Sequence, residues 1–210
     1  MAQTPFGQIA ARFFKEHFRP PTPCLPADYP KCPELAGTRL GELLKSFRPD
    51  SPLVDGHNRL LGPDRLEAEG GVVVFAEENQ NVSYWGVAVA DLAAAVPPVL
   101  RSENVAPVTW QREFDSLDAF LSVFCLWQAL NGAWPRHGLA TRKAAMSKKL
   151  QSHLEPIDVG ANGSGLSFFA RGTDLIVATA GKELFAAANG DAAWNAFLAV
   201  SPAMRELHDE

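Results

Sequence analysis

The sequence predicts an α+β fold, and three observations carry that prediction. Two β-rich runs, Val72 to Ala76 and Val82 to Val89, flank the polar, Asn-rich stretch Glu77-Glu78-Asn79-Gln80-Asn81, as the arms of a β-hairpin flank their connection. Further on, Leu117, Phe120, Leu121, Phe124 and Trp127 share one face of a helix over Leu117 to Asn131, with Asp115-Ser116 as its cap and Gly132 placed to end it. Near the C-terminus, Leu166 to Ala170, Leu175 to Ala180 and Glu183 to Ala188 read as short strands separated by Gly-containing turns.

Taken in order, the chain starts with a helix signal at Thr4-Pro5, followed by a stripe of Phe6, Ile9, Ala10, Phe13 and His17. Arg19-Pro20-Pro21 stops that helix, and a proline-rich stretch to Pro33 stays extended or turning, pinned to the domain by Leu25 and Tyr29. Pro33 opens a helix with Leu40, Leu43, Leu44 and Phe47 as its buried stripe, ended by Pro49 and Pro52. His57 to Pro63 reads as a turn and short strand, and Pro63 to Leu66 as one helical turn. In the hairpin, Trp85, Val87 and Val89 share one face and Tyr84 takes the other. The paired prolines Pro97-Pro98 exclude a central strand there, and Val105 to Trp110 reads as an edge strand. Leu139 to Leu154 is predicted helical, carrying Arg142, Lys143, Lys148 and Lys149, for which a solvated face is favoured over an RNA or DNA site because no aromatic residues interleave with the charges. Asp191 caps a last helix whose core face is Trp194, Phe197 and Leu198.

This divides the chain into an N-terminal arm over 1–24, an α+β core over 25–132, and a C-terminal part over 133–210. The C-terminal strands are few and short, so they are expected to extend the first sheet rather than fold alone.

Composition sets outer limits. With 210 residues and 47% hydrophobic content, the chain can bury a good-sized core. The net charge of −5 argues against a general nucleic-acid binder and suits a basic protein partner. The three cysteines give no disulfide framework. Cys24 and Cys32 lack a second Cys/His pair for zinc, and Cys125 lies in an apolar helical pattern, as a core thiol would. No secretory signal or membrane span is read at the sequence level, so the expected location is the cytoplasm.

Catalytic and cofactor motifs are not found in the sequence. There is no Gly-x-Ser-x-Gly elbow, the five histidines are scattered, and Gly181-Lys182 lacks the residues of a phosphate-binding loop. No dinucleotide fingerprint follows a strand. The expectation is therefore no catalysis, no cofactor and no metal. An enzyme with a spatially assembled site is kept as a distant alternative.

Glu77 and Glu78, adjacent on a strand, point to opposite faces. Their first reading is that they keep the hairpin tip soluble and block edge pairing, and their second is that one of them binds a partner from a groove. Asn79 and Gln80 are expected to satisfy backbone groups at the turn, and Trp85 to fill core.

Phe75-Ala-Glu-Glu-Asn-Gln80 followed by Tyr84-Trp85-Gly86, then Pro97-Pro98-Val99, Trp110 and Ser116-Leu117-Asp-Ala-Phe120-Leu121, resembles the SUKH superfamily. This is the family of the fungal cell-wall assembly regulator and of bacterial immunity proteins against polymorphic toxins. Leu25-Pro26-x-x-Tyr29 and Leu60-Leu61-Gly62-Pro63 are similar to its upstream elements, and the resemblance runs from about Leu25 to Gly132. Val96 departs from it, since an acidic residue usually precedes the paired prolines. The resemblance implies a single, mostly antiparallel sheet flanked by helices, no catalysis and no cofactor. It implies a protein partner such as a toxin domain, with a regulatory scaffold unrelated to toxins as the alternative. The candidate partner-binding residues are Glu77, Glu78, Asn79, Gln80, Tyr84, Trp85 and Trp110. Acidic residues near the hairpin (Glu67, Glu69, Glu77, Glu78 and Asp91) are expected to steer a basic partner.

Overall fold

The computed structural model describes residues 23, 25–47, 56–141, 152–160, 163–201 and 204–207. The expected N-terminal helix, Cys24, and the basic residues from Arg142 to Lys149 lie outside the described residues. The α+β class holds, with antiparallel pairing throughout, but the strands form two sheets rather than one.

In the first sheet, β1 (Asn58–Leu60) and β2 (Glu67–Glu69) both pair with β3 (Val72–Glu78). Next come β4 (Ser83–Ala88), β5 (Val99–Glu103) and β6 (Gln111–Phe114), each pairing with the one before it. β3 is central because Val72, Val73, Val74, Phe75 and Ala76 are all buried, as a strand covered on both faces requires. Gly70 and Gly71 close the β2–β3 hairpin with φ of 59° and 80°, the left-handed pair that a two-residue turn between twisted strands demands. Gly86 lets β4 approach β3, because a Cβ there would lie 2.4 Å from Val72 Cγ1 and 2.7 Å from the Val73 carbonyl oxygen.

Helix α1 (Arg39–Ser46) starts at Thr38, whose hydroxyl accepts from the Gly41 N–H at 3.1 Å. Pro33 opens only a short 3-10 turn, Pro33–Leu35, ahead of it. Leu40 and Phe47 are buried, while Leu43 and Leu44 are only half-buried. Tyr29 is fully buried and donates its hydroxyl hydrogen to the Gly41 carbonyl at 2.6 Å, which pins the proline-rich segment to α1.

Helix α2 (Leu117–Gln128) is capped by Ser116, whose Oγ accepts from the Ala119 N–H at 3.0 Å. It ends in a wide turn over Ala129–Ala133, with Gly132 in a left-handed conformation. Phe120 faces the first sheet, with ring centroids 5.1 Å from Phe75, 5.4 Å from Phe114 and 5.9 Å from Trp85.

The described residues form two compact units, and the boundary falls within α2, after Leu121. The first holds 23–121 with Gly160 and Gly163; the second holds Ser122–Val159 and 164–207. The second unit is built on its own six-stranded sheet. Its strands are β7 (Arg136–Thr141), β8 (Glu155–Ile157), β9 (Leu166–Arg171), β10 (Leu175–Ala180), β11 (Glu183–Ala188) and β12 (Arg205–Leu207), in the order β12-β7-β11-β10-β9-β8. The three predicted strands are the β9–β10–β11 meander. Their neighbours β7, β8 and β12 complete a sheet of their own, so the C-terminal part does not extend the first sheet.

The expected helix over Leu139 to Leu154 is corrected at its start, where Leu139 and Ala140 belong to β7 and pair with Phe185 and Leu184 of β11; residues 142–151 lie outside the described residues. Helix α3 (Asp191–Leu198) covers this sheet with Trp194 and Phe197, which join Leu175, Val177, Leu184 and Ala186 in a buried cluster. Asp191 is the first helical residue rather than the cap, and its carboxylate pairs with Arg136 at 2.7 Å. Cys125 is buried as expected, and burial pushes its thiol pKa up to about 12.

Two segments of the first sheet differ from expectation. Val105 to Trp110 is irregular, and the edge strand forms one step later as β6. The paired prolines precede β5 rather than interrupt it, so their missing N–H groups cost the ladder nothing.

Candidate functional site

The hairpin residues named from the sequence fall into distinct sets of contacts. Glu77 is not a solubilising group at the tip: its carboxylate is 9% exposed as a residue and pairs with Arg65 at 2.7 Å and Arg59 at 3.6 Å. Arg59 also donates to the Asn79 carbonyl at 2.9 Å, tying the ion pair to the turn. Glu78 lies on the other face, and its Oε2 accepts from the backbone N–H groups of Gln80 and Val82 at 3.0 and 3.3 Å.

The turn is therefore satisfied by the Glu78 carboxylate, not by the Asn79 and Gln80 amides. A carboxylate just ahead of the turn reaches across it and makes charge-assisted bonds to two N–H groups. Asn79 Oδ1 is buried without a partner among the described residues, and Gln80 is exposed. Asn81 takes the left-handed conformation that the turn needs, with φ of 61°, and accepts from the Tyr84 hydroxyl at 2.7 Å. Trp110 is half-buried, its Nε1 without a partner among the described residues.

Trp85 has two roles. One edge of the ring meets Phe120 in the core, and its Nε1 donates to Glu113 Oε2 at 2.6 Å. Glu113 is on β6, two strands away, and lines a cleft of about 320 Å³ on the first unit. Arg101, Glu103, Thr109, Gln111 and Arg112 line the same cleft. The sheet register assembles this set, with Trp85 opposite Arg101 and Arg101 opposite Gln111.

Burial pushes the Glu113 carboxyl above the ordinary glutamate range, while the Trp85 N–H and the Arg101 charge pull partly against it. Gly163 donates its N–H to the Glu113 carbonyl at 2.6 Å, so both the side chain and the backbone of Glu113 are held. Arg101 donates to Ser83 Oγ at 2.8 Å and lies 3.9 Å from the Glu103 carboxylate. Arg112 pairs with Asp115 at 2.9 Å.

The rim of the cleft is apolar in part. Val105, in the lining, is 61% exposed; outside the lining, Val108, next to Thr109, is 37% exposed and Val82, at the hairpin tip, is 52% exposed. The two connections are tied together: Asn104 donates its backbone N–H to the Val82 carbonyl at 2.8 Å and its side-chain amide to the Asn81 carbonyl at 3.0 Å.

Sequence reasoning named Trp85 but missed Glu113, Arg101 and Gln111. The available signal was the polar run Gln111-Arg112-Glu113 ending on the apolar Phe114, directly before the Asp115-Ser116 cap.

Among the described residues, no group of three or more His, Cys, Asp and Glu side chains could hold a metal ion. Among the same residues, no helix is long and apolar enough to cross a membrane. No family model matches this chain, and neither a curated protein nor a solved structure is significantly similar to it.

Proposed function

We propose that this chain is a non-catalytic protein-binding domain that acts like the immunity proteins of the SUKH superfamily, covering and neutralising a toxin domain. The observation that carries the binding reading is the exposed Val105 in the lining of the charged cleft, with exposed Val108 next to the lining residue Thr109 and exposed Val82 hydrogen-bonded through its carbonyl to Asn104. Apolar side chains next to a ring of charged and amide groups make a surface that gains by excluding water against another protein. The toxin part of the reading is supported by the order of the Glu-Asn-Gln, Trp-Gly and Pro-Pro motifs in the sequence.

Acidic steering of a basic partner would draw less on Glu67 and Glu77 than their sequence positions suggest. Glu67 is paired with Lys31 at 2.8 Å, and Glu77 is buried with Arg65. The net charge of −5 still favours a basic partner.

The test is co-expression with proteins encoded beside this one, followed by pull-down and a toxicity assay. The expected result is a stable complex that rescues growth, weakened at least tenfold by Val82→Asp with Val105→Asp. A complex without rescue would favour a regulatory scaffold, and a complex indifferent to both substitutions would place the interface elsewhere.

A further inference from the structure

We propose that the cleft lined by β5, β6 and the connection joining them receives an arginine side chain of the protein partner, its guanidinium seated on the Glu113 carboxylate. The inference rests on the protein-binding reading above and assigns that reading a specific chemistry.

Glu113 is built to be a fixed acceptor. Its Oε2 takes the Trp85 indole hydrogen at 2.6 Å, and its backbone oxygen takes the Gly163 N–H at 2.6 Å. No described residue bonds its Oε1, so one carboxylate oxygen is left for a ligand. Both arginines of the cleft are directed at groups of their own chain: Arg112 at Asp115, and Arg101 at Ser83 and Glu103. The lining carries two guanidiniums and two carboxylates, and with Arg101 set against Glu103 and Arg112 against Asp115, Glu113 is the carboxylate of the cleft without a guanidinium in ion-pair contact among the described residues.

A carboxylate ligand would have to displace one of those contacts and sit beside Glu113, charge against like charge. A cation does the reverse, offsetting the burial that holds the Glu113 carboxyl above its ordinary range. Arginine fits better than lysine because its planar fork places several N–H donors at once. Glu103, Gln111 and Thr109 supply further acceptor oxygens around the opening. The cleft volume of about 320 Å³ suits a single side chain or small ligand.

The indole N–H signal of Trp85 in the NMR spectrum, assigned with Trp85→Phe, reports directly on this carboxylate. The full chain is titrated with N-acetyl-arginine amide and, separately, with N-acetyl-glutamate amide. The expected result is a saturable shift of the Trp85 signal with the arginine probe and none with the glutamate probe. Glu113→Gln keeps an oxygen for the Trp85 hydrogen bond and should weaken arginine binding at least tenfold with the other indole signals unmoved. Arg101→Met, which removes a nearby positive charge, should tighten it.

No saturable shift with the arginine probe, equal binding by Glu113→Gln, or a response to the glutamate probe instead would overturn the proposal. So would weaker arginine binding in Arg101→Met. The titration needs no partner, so it can succeed where the co-expression test fails, and the reverse.

Discussion

Arg65 and Glu77 form an ion pair of 2.7 Å that closes over the β1 edge of β3, with the Glu77 carboxylate buried and the Arg65 guanidinium half-exposed. Removing the acid leaves Arg65 and Arg59 facing each other across a half-buried site. Glu77→Ala should therefore cost about 1–3 kcal/mol, less than the ~3–5 of a fully buried pair because Arg65 can turn to water. Glu78→Ala removes the turn's two backbone bonds and should cost about 1–2 kcal/mol. Urea midpoints would measure both, and a Glu77→Ala protein as stable as its parent would show that the pair contributes nothing.

Phe120 is the common neighbour of Phe75, Phe114 and Trp85 and is 2% exposed. Truncating it empties the space under the first sheet. Phe120→Ala should cost about 3–5 kcal/mol in chemical denaturation. A loss under about 1 kcal/mol would mean the ring does not sit among those three neighbours.

Gly86→Ala tests the close approach of β4 to β3. The added methyl meets the Val73 backbone oxygen at 2.7 Å, and a backbone atom inside a sheet has nowhere to go. The expected loss is about 1–3 kcal/mol or more, read as a drop in Tm. An unchanged Tm would show that the two strands can separate without penalty.

Glu113 predicts a pH dependence of definite sign. Its folded-state pKa is raised, so the native protein holds this proton more tightly than the unfolded chain does. The contribution is full below the unfolded pKa and is lost as pH rises through the folded one, which lies above the ordinary glutamate range. Glu113→Gln has no such loss. The Tm of the variant minus that of the parent should therefore climb with pH across that window. A difference that stays flat would place the carboxyl in an ordinary, solvated setting.

Cys32 and Cys125 are both buried, and burial raises both thiols, that of Cys125 to about 12. Alkylation at pH 8 followed by peptide mass spectrometry should leave both unmodified in the native protein and modify both in urea. Rapid native labelling of Cys125 would show that α2 opens around it.

The parts that were legible in the sequence are those whose signal is local. The Val72–Ala76 run, the polar Glu77–Asn81 spacer and the following β-rich run specify a hairpin without reference to anything else. The Ser116 cap and the Leu117/Phe120/Phe124 stripe specify a helix in the same way, since neighbours three and four apart share a face. The β9–β10–β11 meander is legible because each strand is bounded by its own turn residues. β2 carries two exposed glutamates and no apolar alternation, so its only sign is the Gly70-Gly71 turn that follows it. β7 pairs with β11 and β12, strands more than forty residues downstream, and nothing within Arg136–Thr141 announces that.

By itself, then, the sequence determined the hairpin, the Ser116-capped helix and the β9–β10–β11 meander, because those choices are made among residues a few positions apart. Only the tertiary structure decided that the strands form two sheets, that Glu77 is buried against Arg65, and that Trp85 meets Glu113 across 28 positions. Strand order and register bring those groups together. They are set by competition among distant partners for the same backbone edges and the same core space, which a local pattern of residues does not encode.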